Sequence, residues 1–516
     1  MRKLRSMAVL FVLSLVIAVF CGQAESAKLR PGHVIPVDKG VSRAQMERLY
    51  ERGEPAVYSG DDLFTIGMPV GGIAAGQLYV RGDGTLAVWQ IFNKHVFTGY
   101  GADCYRTYRP ESPVDSGFAL YFRDGGHAEG RPVNAGYSVR PLNTDFGRVE
   151  FEGEYPVAVV RYSNEHVPVQ VEMKTFSPFI PLNARDSALP ATVFHVTLKN
   201  TSSDVLDTGL VGWLENAVCM HSAPSILAQR RTRIVNEKGR AMVVHTVEEA
   251  PLEQRAVRPR ETIVLADFEG GDYGDWKTEG EAFGKGPARG TLKGQQKVSG
   301  FVGKGLVNTF IDGDPPQGTL TSAQFEVSRK FINFLIGGGN YAGRTCINLL
   351  IDGVPVRTAV GRNNEKLDWH FWNVEQFEGA TAQIQIVDRA SGGWGHVNVD
   401  QIELADKPRN AFSGPIEELP DYGSMVLAFE GSRASSSELP RELSSKPNAW
   451  NAVLSFDSAS ALPVARSKTT GLCAEPIILK PGASRTFKFV LSWFFPNHQH
   501  GREYDNRFDS ASEVAH

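Results

Sequence analysis

Cysteine is scarce in this chain of 516 residues, which contains five. Apart from Cys21 near the amino terminus, they are Cys104, Cys219, Cys346 and Cys473, and these four are far apart in the sequence. None of them stands in the CxxC spacing that is typical of zinc sites, so a zinc centre is not expected. Disulfides in an exported chain and free buried thiols are both compatible with this distribution.

Blocks of basic residues are also lacking beyond the first few positions. The formal net charge is −4 and the isoelectric point is about 6.3. A protein that binds nucleic acid normally carries a clustered basic surface, so nucleic acid is excluded as an expected partner. The hydrophobic fraction of 42% and charged fraction of 22% are those of an ordinary globular protein, long enough for two or three domains.

Long apolar runs are confined to the amino terminus. Residues 1–27 have a basic start, an apolar run over Met7–Phe20 and small residues at Ala24–Ser26, which is the pattern of a signal peptide. The run is short for a membrane span, so no span is expected. A lipoprotein signal would use Cys21, but the bulky residues before it disfavour that alternative. We therefore expect a secreted or periplasmic protein.

Helical periodicity is rare, whereas short strand patterns recur along the chain. Ser42–Arg52 has helical spacing, with Ser42 as a candidate cap. Val167–Phe176 alternates apolar and polar residues, which is typical of a half-buried strand. Many such runs, separated by turns rich in glycine, predict a β-sandwich. Residues 215–262 are mixed in pattern, and their basic patch at Arg230, Arg231 and Arg233 predicts a solvated loop or an edge strand.

Residues 66–92 form the most distinctive stretch. Gly71, Gly72 and Gly76 stand among small apolar residues, so backbone can pass close to other backbone. Two strand-like runs follow, Gln77–Arg81 and Thr85–Ile91, and the Gly-Asp-Gly sequence between them predicts a β-hairpin. Tight packing at the glycines, followed directly by a hairpin, is therefore expected.

Three stretches together resemble the amino-terminal domain of glycoside hydrolase family 116, the bile-acid β-glucosidase or non-lysosomal glucosylceramidase family. They are the segment 66–92 with its Trp89-Gln90 pair, Asp186–Pro190 (DSALP) and Leu491–Asn497 (LSWFFPN). The resemblance implies an amino-terminal β-sandwich and action on β-glucosides. It also implies that the catalytic Glu and Asp belong to a carboxy-terminal (α/α)6 barrel, which the sandwich helps to shape.

The composition of the sequence changes at about Ile263, and glycine becomes very frequent to about Gly343. The segments Asp267–Glu269, Gly274–Trp276, Phe334–Gly339 and Gly393–His396 resemble the carbohydrate-binding-type modules found beside family 32 glycoside hydrolases, which act on fructans. After Asp406 the sequence again has the composition and strand patterns seen before Ile263. The expected fold class is therefore all-β: a β-sandwich interrupted by a second, jelly-roll β-sandwich. The predicted divisions are a signal peptide (1–27), the first part of the sandwich (28–262), the inserted module (263–406), the second part of the sandwich (407–497) and a linker towards a helical barrel (498–516).

Aromatic residues of the inserted module are candidate sugar platforms, because the apolar face of a sugar stacks on an aromatic ring. Trp394 ranks first, since it stands between glycines beside His396, and Trp276 is a second candidate. Asp388 and Arg389 precede the Trp394 loop and have side chains suited to bind sugar hydroxyls. Core packing is the structural alternative for any tryptophan of a β-sandwich.

Asp267, Glu269 and Asp400 are assigned to the first and last strands of the module, which are neighbours in a jelly roll. Carboxylate oxygens suit calcium, so these residues predict a structural calcium site, with solvated surface carboxylates as the alternative.

No pair of carboxylates is assigned a catalytic role, because the resemblance places the catalytic acids on the barrel. The chain ends at His516, where the family's linker turns into the first barrel helix, so we expect the barrel to lie on a separate chain or to be lost. The predicted function is the non-catalytic amino-terminal portion of an exported family 116-like glycoside hydrolase, inactive alone. The alternative is a stand-alone secreted carbohydrate-binding protein.

Overall fold

The computed structural model describes residues 42–51, 53–94, 114–124, 137–142, 144–223, 228–237, 239–250, 259–410, 414–431, 434–439 and 469–516. The signal-peptide segment and Cys104 lie outside these residues. The chain divides into two units, Met1–Pro55 and Ala56–His516.

In the first unit, the described residues form helix α1 (Arg43–Tyr50). Ser42 caps it in a capping box, in which the Ser42 hydroxyl accepts from the Gln45 backbone N–H and the Gln45 side chain accepts from the Ser42 backbone N–H. The helix and its cap are as the sequence predicts.

The second unit is built almost entirely of strands, numbered β1 to β29 along the described chain. Their bounds are β1 Val57–Ser59, β2 Gly67–Val70, β3 Gln77–Arg81, β4 Leu86–Gln90, β5 Ser116–Asp124, β6 Ser138–Pro141, β7 Arg148–Glu154, β8 Val157–Ser163, β9 Val169–Phe176, β10 Ala191–Asn200, β11 Leu206–Glu215, β12 Ala228–Glu237, β13 Arg240–Glu249, β14 Ile263–Ala266, β15 Lys277–Gly280, β16 Val307–Asn308, β17 Gly318–Thr321, β18 Phe325–Glu326, β19 Phe331–Gly338, β20 Thr345–Ile351, β21 Val354–Val360, β22 Asn364–Asn373, β23 Thr381–Asp388, β24 Val397–Ala405, β25 Ser424–Glu430, β26 Ala434–Leu439, β27 Thr469–Ala474, β28 Ile477–Leu479 and β29 Ser484–Phe494.

The helices among the described residues of this unit are short. They are α2 (Ala184–Ser187), α3 (Ala511–Ala515) and 3-10 turns at Gly60–Phe64, Glu375–Phe377, Ile416–Glu418 and Glu503–Asn506. The all-β prediction is confirmed. Within the described part of the chain, no helix has the length and apolar character needed to cross a membrane.

Two large sheets combine early and late strands. A nine-stranded sheet runs β1-β7-β8-β9-β10-β29-β25-β13-β12, and a six-stranded sheet runs β26-β27-β11-β5-β6, with β28 also on β11. The Phe118 ring of β5 lies 5.2 Å from the rings of Phe194 on β10 and Phe489 on β29, so the two sheets face each other across one apolar core. The hairpin β3–β4 forms as predicted and joins β2 in a small sheet.

The strands β14 to β24 form two further sheets, β14-β24-β19-β22 with β16 and β15-β17-β23-β20-β21 with β18. Apolar residues of both enclose a second core that includes Phe334, Ile347 and Trp372. Trp372 is therefore a core residue, the structural alternative considered for the module's tryptophans. The domain boundaries and the jelly-roll assignment stay predictions.

The structure differs from the sequence-based expectation over residues 215–262. Two ten-residue strands, β12 and β13, lie there. The basic patch lies on β12 at the sheet's edge, as one of the two alternatives expected, but β13 is an interior strand whose Met242, Val243 and Val244 are buried. The loop alternative is wrong because these apolar side chains complete the core.

The three stretches that carry the family 116 resemblance meet at the glycine loop, defined as residues 71–76 between β2 and β3. The Ile73 N–H donates to the Ser187 carbonyl oxygen at 2.7 Å, and Trp493 Nε1 donates to the Ala75 carbonyl oxygen at 2.8 Å. Ser187 belongs to the DSALP stretch and Trp493 to LSWFFPN. Segments more than 400 residues apart in the chain are therefore joined at one loop.

Close backbone approach explains the glycines of this loop. A Cβ on Gly71 would lie 2.5 Å from the Gly76 carbonyl oxygen, and one on Gly72 would lie 2.6 Å from the carbonyl carbon of Ala188. Gly71 and Gly76 also have φ angles of +128° and +91°, which favour glycine. The expected tight packing is thus what the structure shows.

Candidate functional site

The highest-ranked sugar candidate, Trp394, lies in the tight turn between β23 and β24. The Gly395 N–H donates to the Gly392 carbonyl oxygen at 2.8 Å, and Trp394 has a φ of +61°. Tyr341 is partly exposed, and its hydroxyl donates to the Gly393 carbonyl oxygen at 3.0 Å. The half-buried Trp394 ring stacks on His396 with centroids 5.8 Å apart. Two aromatic rings therefore lie at this turn. Trp394 belongs to the turn and stacks on His396, and Tyr341 is joined to the turn by its hydrogen bond to Gly393.

His396 is buried between two carboxylates. Its Nδ1 lies 2.7 Å from Asp314 Oδ1 and its Nε2 lies 3.2 Å from Glu365 Oε1. Burial lowers the pKa of His396, but the adjacent Glu365 and Asp314 carboxylates outweigh burial and raise the pKa above its ordinary value. The two carboxylates thus stabilise the protonated form of the imidazole relative to that of an ordinary histidine.

A polar network extends from Glu365 into the module. Glu365 Oε2 accepts from Gln295 Nε2 at 3.0 Å and from Asn398 Nδ2 at 2.8 Å. Gln295 and Asn308 exchange side-chain hydrogen bonds of 2.8 and 3.2 Å. This network fixes the position of Glu365, and through it the imidazole of His396.

Asp388 and Arg389 take different roles at the end of β23. Asp388 is fully buried, and one of its oxygens has no hydrogen-bond partner among the described residues. Burial raises the pKa of Asp388 to about 7. Arg389 is exposed and its backbone N–H donates to the Arg344 carbonyl oxygen. Only Arg389 has the exposure needed to reach a ligand in this conformation.

Trp276 lines a separate cleft of about 440 Å³, together with Phe268, Tyr273, Ser322 and Gln324. Its half-buried ring packs edge-on against Phe268 at 5.5 Å. The structure therefore does not bring Trp276 into the Trp394 turn, and the predicted sugar-binding residues fall at two places.

The predicted calcium ligands follow or lie on paired strands. The sequence analysis placed Asp267 and Glu269 on the module's first strand, but β14 ends at Ala266 and both residues come directly after it. The backbone leaves the strand here because Phe268 has a φ of +51° and the Asp267 carboxylate accepts from the Glu269 N–H at 3.1 Å. Asp400 lies on β24, which pairs with β14 as predicted.

The three carboxylates differ in their surroundings. Glu269 Oε1 accepts from the backbone N–H groups of Lys304 and Gly305 at 2.7 and 2.8 Å, and these bonds lower its pKa. Asp400 is fully buried, its Oδ1 has no hydrogen-bond partner among the described residues, and burial raises its pKa to about 7. In the described part of the chain, no group of three or more His, Cys, Asp or Glu side chains is arranged to hold a metal ion. The calcium site stays a prediction.

Two acidic residues that contact His396 were not predicted from the sequence. Asp314 and Glu365 are separated from His396 by 82 and 31 positions, and neither stands in a recognisable motif. The His396 in Gly-Trp-Gly-His was a visible signal, because a buried histidine needs hydrogen-bond partners. The three cysteines in the described residues, Cys219, Cys346 and Cys473, are buried.

The geometry defines a β-rich scaffold with aromatic side chains at its surface. Comparison with known proteins shows which family the amino-terminal part of this scaffold resembles. Residues 67–270 match the family model described as "beta-glucosidase 2, glycosyl-hydrolase family 116 N-term". The resemblance of the sequence to family 116 amino-terminal domains is thereby confirmed for these residues.

A curated relative agrees with this match. The chain is 41% identical over 177 residues to "Putative glycosyl hydrolase ecdE" of Aspergillus rugulosus, a match that covers 34% of this chain. The chain spans about a quarter (25%) of the length of that relative.

Solved structures give weak likenesses. The K3 cleaved adhesin domain of Lys-gingipain from Porphyromonas gingivalis is 13% identical, with a TM-score of 0.22, over 29% of this chain and 99% of that one. A cyclase from Fischerella sp. TAU is 12% identical, with a TM-score of 0.21, over 29% of this chain and 100% of that one. Similarity at this level says nothing about function.

Proposed function

We propose that this chain is the non-catalytic amino-terminal portion of an exported family 116-like glycoside hydrolase of the β-glucosidase or glucosylceramidase type. Hydrolysis is carried out by a helical-barrel catalytic domain or chain outside these residues. The observation that carries the proposal is the match over residues 67–270, with the three family-like stretches joined at the glycine loop.

An exposed apolar face beside the glycine loop supports a barrel as its occupant. Ile73, Phe179, Ile180 and Leu182 are exposed by 46%, 42%, 46% and 108%, and we refer to them as the apolar face. Ser187 links its two segments, because its carbonyl oxygen accepts from the Ile73 N–H and its hydroxyl bonds to the Ile180 backbone. A cluster of exposed apolar residues on one surface is typical of an interaction site.

The test is activity reconstitution with the purified chain and a recombinant family 116-type barrel encoded next to it. The chain alone is expected not to hydrolyse an aryl β-glucoside, whereas the two together do. Leu182→Asp should weaken their association by at least about tenfold, because it places a charge in an apolar contact. Val205→Asp is the matched control, since Val205 is also exposed but lies outside the apolar face. Hydrolysis by the chain alone, lost on substitution of one of its carboxylates, would refute the proposal.

Carbohydrate binding by residues 263–406 is the second proposed function. The partly exposed Trp394 and Tyr341, with a fixed polar group behind Trp394, are the observation that favours it. A glycan array probed with the full chain should identify ligands whose binding is lost in Trp394→Ala. Trp276→Ala tests the second cleft separately. Trp369→Ala is the control, because the Trp369 ring is covered by the Arg409 guanidinium and Trp369 does not belong to the Trp394 turn. No glycan bound above background would end this proposal.

A further inference from the structure

A cavity of about 370 Å³ is lined on one side by residues that follow strands β4 and β11 and on the other side by residues of the β14–β24 sheets. Lys94 and His221 come from segments after β4 and β11, and the opposite wall comes from β21, β22 and the segments joined to them. The lining residues are Lys94, Met220, His221, Asn340, Ala342, Arg357, Thr358, Ala359, Val360, Gly361, Arg362, His370, Phe371, Trp372 and Asn373. We call this space the basic cavity.

The charged side chains of the basic cavity all have one sign. Lys94, Arg357 and Arg362 are cationic, and no Asp or Glu is found among the described residues that line the cavity. Their field acts on both histidines. The pKa of His370 is lowered to about 4, by burial first and then by Arg362, and the pKa of His221 is lowered by burial first and then by Lys94 and Arg357. Both imidazoles are thus neutral at pH 7 and serve as hydrogen-bonding groups.

The three cations differ in their availability to a ligand. Arg357 is buried and donates to the carbonyl oxygens of Val356 and Asn373, so its guanidinium is already engaged. Lys94 is exposed and donates to the His221 carbonyl oxygen at 2.9 Å, which leaves two of its three hydrogens for other acceptors. Arg362 is exposed and forms no ion pair with a described residue. Lys94 and Arg362 are therefore the cations that can bind an anion directly.

The rest of the wall suits a sugar ring. Asn340 and Asn373 offer side-chain amides, while Val360 and Phe371 supply apolar surface. The volume falls at the lower end of the range of small-molecule sites.

We propose that the basic cavity binds an acidic sugar, in which a carboxylate, sulfate or phosphate group lies between Arg362 and Lys94. Arginine matches the planar geometry of an oxyanion with paired N–H donors, and lysine adds a second charge-assisted hydrogen bond. The lining of the cavity includes neither Trp394 nor a residue of the apolar face, although Asn340 and Ala342 flank Tyr341. The proposal extends the proposed carbohydrate binding and rests on it for the sugar part of the ligand, but it does not depend on Trp394.

Isothermal titration of the full chain at pH 7 and 150 mM NaCl tests this site. The probes are glucuronate, glucose 6-sulfate, glucose 6-phosphate, neutral glucose, and inorganic sulfate and phosphate. Binding of at least one acidic sugar is expected, with glucose at least about tenfold weaker because it lacks the charge-assisted bonds. The three acidic sugars distinguish the source of the oxyanion.

Variants connect the binding to the cavity. Arg362→Ala and Lys94→Ala should each weaken acidic-sugar binding by at least about tenfold, and Arg362→Lys should weaken it less. Arg233→Ala is the matched control, because it removes one positive charge from an exposed arginine that does not line the cavity. Trp394→Ala should leave acidic-sugar binding unchanged, so failure of the Trp394 site and failure of the basic cavity are distinguishable.

Three results would overturn the proposal. They are no binding of any acidic sugar, equal affinity for glucose and its acidic derivatives, and an Arg233→Ala effect as large as that of Arg362→Ala. Binding of inorganic sulfate or phosphate as tight as that of the corresponding sugar would overturn the sugar part, because the ring would then contribute no affinity.

Discussion

The buried carboxyl group of Asp388 makes stability depend on pH in a direction opposite to that of an ion-paired aspartate. Burial raises its pKa from 3.8 to about 7, with His396 and Asp314 as its titratable neighbours. Between these two pH values the folded chain keeps the proton and the unfolded chain releases it. Stability therefore falls as the pH rises from about 4 to about 7, and it is level above that pH.

The magnitude follows from the size of the pKa change. A tenfold change in a protonation constant corresponds to about 1.4 kcal/mol. Ionising Asp388 in the folded chain thus costs up to about 4 kcal/mol more than in the unfolded chain. Asp388→Asn keeps the shape and cannot ionise. We expect its free energy of unfolding, relative to the parent, to rise by up to about 4 kcal/mol between pH 4 and pH 8.

Differential scanning calorimetry of the full chain at several pH values is the appropriate assay. A difference of this size corresponds to a change in Tm on the order of 10 °C for a cooperative unit of 150–250 residues. Asp204→Asn is the control, because it makes the same substitution at an exposed aspartate, and a change in Tm that both variants share is not due to burial of Asp388. If the Tm difference between Asp388→Asn and the parent is the same at pH 4 and pH 8, Asp388 is not held protonated and the reasoning is wrong.

Three further predictions follow from other buried or crowded groups. Burial lowers the pKa of His245 to about 3, so its stabilising contribution is present above pH 6.5 and is lost as the pH falls towards 3; His245→Gln should therefore reduce the acid-induced fall in Tm between pH 6.5 and pH 4, and an unchanged acid profile would argue against this. Gly72→Ala should destabilise the chain by about 1–3 kcal/mol, measured by urea unfolding, because its Cβ would overlap the backbone of Ala188; Gly147→Ala, where nothing lies within 4 Å of the added Cβ, should have little effect, and equal losses in both would contradict the packing argument. If calcium binds at Asp400, millimolar calcium should raise the Tm after EDTA treatment, more at pH 8 than at pH 6 because protons compete for a carboxyl group whose pKa is about 7; an equal rise in Asp400→Asn would rule that site out.

Local features were predictable because their causes are local. The Gly-Asp-Gly turn, the β3–β4 hairpin and the Ser42 cap each depend on a few neighbouring residues. Strand β13 was missed because its apolar side chains are not separated by the regular alternation of a half-buried strand, and burial on both faces removes that pattern.

The candidate sites were less predictable because they combine distant segments. Trp394 and His396 were visible in sequence, but the positions of Asp314 and Glu365 depend on how β16, β22 and β24 come together. The basic cavity had no sequence signal, since Lys94 and Arg362 are 268 positions apart and neither belongs to a motif.

The strand order of the nine-stranded sheet has a consequence for biosynthesis. Strand β29 lies between β10 and β25, although β10 is made almost 300 residues earlier. Until the ribosome has released Ser484–Phe494, the two flanking strands have open edges that can pair with other chains. Strands β14–β24 pair among themselves, so they can complete their sheets while synthesis continues. Nascent chains that stop before β29 should therefore need chaperone protection to stay out of aggregates.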